Sequence, residues 1–99
     1  MDNKEQWDRL MKECKDKGVR VVKVDSDTLK DYGGMNFYAA KKMGYHPKKF
    51  KPNTIYIDTD LPLDVQVTTL RHEMIERELM ADGMEYWPAH LIALRKENG

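Results

Sequence analysis

Ninety-nine residues with 40% hydrophobic content have room for one modest core, so a single domain spanning 1–99 is expected. Seventeen basic and seventeen acidic residues cancel, which argues against a surface built for non-specific nucleic-acid binding. The single cysteine, Cys14, excludes an internal disulfide framework, and no apolar run reaches membrane-spanning length.

Residues 3–17 predict a helix, with Asn3 as cap and Trp7, Leu10, Met11 and Cys14 recurring at helical spacing; Gly18 stops it. Val19 to Val24 is a β-branched run and predicts a strand. Asp25 to Gly34 is turn-rich. Asn36 suits the cap of a short helix carrying Phe37, Ala39, Ala40 and Met43, ended by Gly44. The run Lys41, Lys42, His46, Lys48, Lys49 and Lys51 reads as solvated surface. Thr54 to Ile57 predicts a second strand, with Ile55 and Ile57 on one side and Tyr56 on the other. Thr59 or Asp60 then caps a long helix from about Pro62 to Ala81, which Asp82-Gly83 ends.

The faces of that helix are mixed. Val67, Leu70, Met74 and Ala81 form one apolar stripe, Ile75 and Leu79 another, with His72 and Glu76 beside them. A central helix packed on more than one side fits this pattern. Tyr86 to Glu97 predicts the last helix, folded back on the long one by the short connection. Trp7, Met74 and Trp87 read as core. The expected architecture is α+β: a small β-sheet packed on a long central helix, followed by a C-terminal helix.

The chemistry concentrates in Arg71-His72-Glu73-Met74-Ile75-Glu76, with His90 fourteen residues beyond Glu76. His72 and Glu76 are four apart and share a helix face. Imidazole and carboxylate are both good zinc donors, so His72, Glu76 and His90 make a three-ligand set with a fourth position open, as in catalytic rather than structural zinc sites. Glu73, one step round the helix, is placed to act as general base on a metal-bound water. Each ligating histidine is expected to donate its other ring N–H to a carboxylate or carbonyl, with Asp58, Asp60, Asp64 and Asp82 as candidates. The same residues also suit a metal-free helix, in which His72 and Glu76 are a simple polar pair and Glu73 pairs with Arg77 on the solvent side.

Residues 72–76, H-E-M-I-E, resemble the zinc-binding helix of the zincin metallopeptidases, whose common pattern is H-E-x-x-H. The likeness covers about residues 54–97 and extends to the preceding strand, the Gly-containing stop and the following helix. In the gluzincin branch the third ligand is a glutamate on the next helix. The resemblance therefore implies His72 as first ligand, Glu73 as base, Glu76 in place of the second histidine and His90 in place of the downstream glutamate. The ligand types are exchanged and the total stays at two histidines and one glutamate. In length the chain is similar to the minigluzincins. The resemblance implies Zn(2+) as cofactor and a zinc-dependent peptidase or amide hydrolase, with Tyr86, or less readily His46, stabilising the oxyanion. It also implies an edge strand to align a peptide, for which Val19–Val24 is the candidate. A protein of the same architecture with a vestigial or structural site, in which His46 could be a fourth ligand, or with no metal, acting through a protein partner, is the alternative. No nucleic acid, no membrane and a cytoplasmic location are expected; the oligomeric state stays open.

Overall fold

The computed structural model describes residues 2–30, 32–44 and 49–98. Helix α1 (Asn3–Asp16) begins one residue earlier than expected at its cap: Asp2 Oδ1, not Asn3, accepts the Glu5 N–H at 2.8 Å. An acidic residue there satisfies an orphan donor and meets the positive end of the helix dipole. Strand β1 (Arg20–Val24) follows, then a single turn of helix, α2 (Ser26–Leu29), capped by Asp25 within the stretch expected to be turns. A three-residue strand, β2 (Gly34–Asn36), leads directly into α3 (Phe37–Lys42), where Asn36 is the cap that the sequence suggested. Strand β3 (Thr54–Asp58), the long helix α4 (Leu63–Ala81) and the last helix α5 (Tyr86–Lys96) complete the chain.

The sheet is open and mixed, in the order β1-β3-β2. β1 runs parallel to β3 from Arg20↔Thr54 to Val24↔Asp58, and β2 antiparallel, with Gly34 opposite Ile57 and Asn36 opposite Ile55. Every residue of β3 is buried, because both faces of the sheet are covered. Ile55 and Ile57 face Leu10 and Cys14 of α1 and Val67 and Leu70 of α4. Tyr56 faces the other way, to Met35, Leu29, Ala40 and Phe50. Side-chain alternation along β3 thus builds two apolar clusters, as its sequence implies.

Two expectations fail at α4. Neither Thr59 nor Asp60 caps it: the Thr59 hydroxyl donates to the Val24 carbonyl, and Asp60 Oδ2 accepts from Ser26. Both groups are used to tie β1 and α2 to the connection after β3. Trp87 is not core but 67% exposed, with its ring edge-on to His90 at 5.9 Å. The contact between those helices runs instead through Ala89 and Ala93, both fully buried, whose small side chains let the helices approach closely. Gly83, at φ +105°, makes the turn between them. No helix among the described residues is long and apolar enough to cross a membrane.

Candidate metal centre

Three elements meet at the polar face of α4. His72, Glu73 and Glu76 come from its middle, His90 from α5, and Asn36 from the end of β2. The approach of β2 depends on Gly34: a Cβ there would lie 2.6 Å from Thr69 Cγ2 and 3.0 Å from Glu73 Cγ. Only glycine lets the strand lie this close to the helix.

His72, Glu76 and His90 converge, with one ligand-type atom from each lying within 4.8 Å of the others. Glu76 Oε2 stands 2.9 Å from His72 Nε2 and 2.8 Å from His90 Nδ1, and the two ring nitrogens are 3.2 Å apart. Tetrahedral zinc with bonds of about 2.0–2.1 Å sets donors about 3.3 Å apart, so a few tenths of an ångström of relaxation accommodates an ion. Glu76 and His72 are nearly inaccessible, at 2% and 7% exposure.

The partner of His72 Nδ1 is Glu97 Oε2 at 3.0 Å, not Asp58, Asp60, Asp64 or Asp82. Asp58 and Asp60 are bound to Ser26 instead. Arg71 reinforces the arrangement, donating to the Glu97 carbonyl at 3.0 Å and to Gln6 Oε1 at 3.2 Å. His72 therefore meets a carboxylate oxygen at each ring nitrogen. A neutral imidazole donates from only one of them. The arrangement is satisfied by an imidazolium, or by a cation among the lone pairs of His72, Glu76 and His90. This donor set is capable of chelating a metal ion.

The electrostatics agree. Burial pulls the His72 pKa down, but the hydrogen bond to Glu76, the charges of Glu73 and Glu76 and the bond to Glu97 together raise it. Burial acts against ionisation of Glu76 too, yet its bonds to both histidines hold it below the ordinary carboxylate range. Glu73 has weaker compensation. Burial first, and the charge of Glu76 second, push it up to about 8. Its Oε1 accepts from Asn36 Nδ2 at 2.9 Å, and it faces β2 rather than solvent. The Glu73–Arg77 surface pair is thus absent; Arg77 donates to Asn53 Oδ1.

Beside the cluster lies a cavity of about 200 Å³, bordered by Gly34, Met35, Glu73, Tyr86, His90 and Leu94. The Tyr86 ring stacks on His90 at 5.3 Å, and its hydroxyl is 3.5 Å from His90 Nδ1. Burial, then the charges of Glu76 and Glu73, push the phenol up to about 12, so it keeps its proton. The strand at the cavity is β2; β1, the expected candidate, forms the opposite edge of the sheet. His46 lies outside the described residues.

Two contributors were not anticipated in the sequence. Glu97 follows His90 by seven residues, which puts both on one helix face at 100° per residue, so it was findable by counting. Asn36 was legible as a cap but not as a partner of two glutamates. Comparison with protein-family models, with curated proteins and with solved structures returns no match.

Proposed function

We propose that this chain is a zinc-dependent peptidase or amide hydrolase, with His72, Glu76 and His90 as the metal ligands and Glu73 as general base. The observation that carries this reading is His72 set between two carboxylates, with Glu76 and His90 converging on its inner nitrogen. Zinc held there would polarise a substrate carbonyl and acidify water.

Glu73 lines the cavity, and its raised pKa is of the direction that a general base needs near neutral pH. It would accept the proton of an attacking water and return it to the leaving amine. Tyr86, protonated and at the cavity wall, would donate to the developing oxyanion. The resemblance of the H-E-x-x-E helix to the gluzincin helix supports the same assignment, with histidine and glutamate exchanged.

The test is metal content of protein purified without chelator, coupled to cleavage of a peptide library. About one zinc per chain is expected, with uptake abolished by His72→Ala or His90→Ala. Glu73→Gln is expected to keep the metal and lower turnover by about 10²–10⁴-fold. Metal without cleavage would favour a non-catalytic protein with a protein partner. A metal-free reading has its own support: the cluster atoms, 2.8–3.2 Å apart, already lie within hydrogen-bond distance of one another, and a parent that takes up no zinc would favour it.

A further inference from the structure

We propose that Asn36 is a positioning residue that assigns the oxygens of Glu73 and Glu76 to separate tasks, an assignment that rests on the metal-site reading above. Asn36 is wholly buried. Its Oδ1 accepts the Ala39 N–H at 2.9 Å, capping α3. Its Nδ2 donates to Glu73 Oε1 at 2.9 Å and to Glu76 Oε1 at 3.1 Å.

The cap fixes which way the amide points. With Oδ1 held by a backbone donor, both hydrogens of Nδ2 are directed at the glutamates, and no donor of the side chain is left over. Each glutamate then has one oxygen engaged and one to use. Glu76 is left Oε2, the atom beside His72 and His90. Glu73 is left Oε2, the atom next to Gly34. Without a shared donor, two carboxyl groups one helical turn apart in a buried space would turn away or compete for the same ring nitrogens. A shared neutral donor holds both and keeps Glu73 off the metal position. Asn36 touches neither the proposed ligand histidines nor the metal position, so it acts through the glutamates alone.

Asn36→Ser separates this role from capping. Serine caps as well as asparagine but is too short to serve the glutamates. Zinc affinity, measured by competition with a chromogenic chelator, is expected to fall about tenfold or more while far-UV circular dichroism is unchanged. Affinity within about twofold of the parent, in a protein that folds, would overturn the assignment and leave the metal reading standing. A parent that takes up no zinc would overturn the metal-site reading and this assignment with it; should Asn36→Ser not fold, urea unfolding of the metal-free protein decides. Asn36→Thr also keeps a capping oxygen but reaches neither glutamate. Glu73→Ala is expected to lower the urea midpoint less in the Asn36→Thr background than in the parent, because the Asn36–Glu73 bond is already gone there. Equal shifts in both backgrounds would show that Asn36 and Glu73 are not coupled and would sink the proposal.

Discussion

The two sides of α4 are held in different ways. Val67 and Leu70 face Leu10, Cys14, Ile55 and Ile57, where burial is non-directional and scales with apolar area. His72, Glu73 and Glu76 face β2 and α5, where a few oriented bonds satisfy groups that would be costly to bury alone. Volume governs the first side. On the second, donor and acceptor pattern governs, and one missing donor affects several residues together. Stability and metal chemistry should therefore be separable on one helix.

Leu70→Ala is the strongest test of that separation. The side chain is fully buried, and its truncation is expected to cost about 2–5 kcal/mol in urea unfolding. Zinc bound per folded chain should not change; a parallel loss of zinc would mean the two sides are one cooperative unit. Glu97→Gln probes the polar side. It keeps size but removes the charge at His72 Nδ1, and a drop in zinc affinity of about 10–100-fold is expected, with a smaller loss of stability in the metal-free protein, where Glu97 accepts from the His72 imidazolium.

A third, smaller effect belongs to the apolar side. Burial first, then the charge of Glu13, push the Cys14 thiol from 9.0 to about 11. The folded state thus holds this proton more tightly than the unfolded chain. Its contribution is intact below about pH 9 and is lost as pH rises through 9 to 11. Cys14→Ala should flatten the alkaline decline in stability across that window and leave zinc affinity at neutral pH unaltered. An equally steep alkaline decline in Cys14→Ala would assign it to other groups.

The contrast also explains what could be read from the chain. Apolar periodicity located α1, β1, β3, α4 and α5 to within a residue or two, and the alternation of Ile55, Tyr56 and Ile57 gave both faces of the sheet. The convergence of His72, Glu76 and His90 was legible because two of them share a helix turn and the third follows a short link. β2 was not, since Gly34-Met35-Asn36 is too short to show a period and its edge is defined by a helix distant in sequence. The predicted cap of α4 failed for a related reason. Thr59 and Asp60 have the right chemistry for α4, but tertiary partners at Val24 and Ser26 take those groups. Trp87 was misplaced because α5 meets α4 through alanines, leaving its large residues outward.

The link from Ala81 to Tyr86 also sets an order of assembly. It closes the α4–α5 hairpin over only residues 82–85, so His72, Glu76 and His90 can meet by a short-range search. Asn36 must return across the whole of β3 and the connection before α4 to reach Glu73. Closing the shorter loop has the smaller entropy cost, and contacts of low sequence separation form early. For the zinc site proposed above, ion capture is thus expected to precede restraint of the carboxylates during folding. Stopped-flow refolding with zinc present would register this order as a metal signal that rises before the slowest tertiary phase.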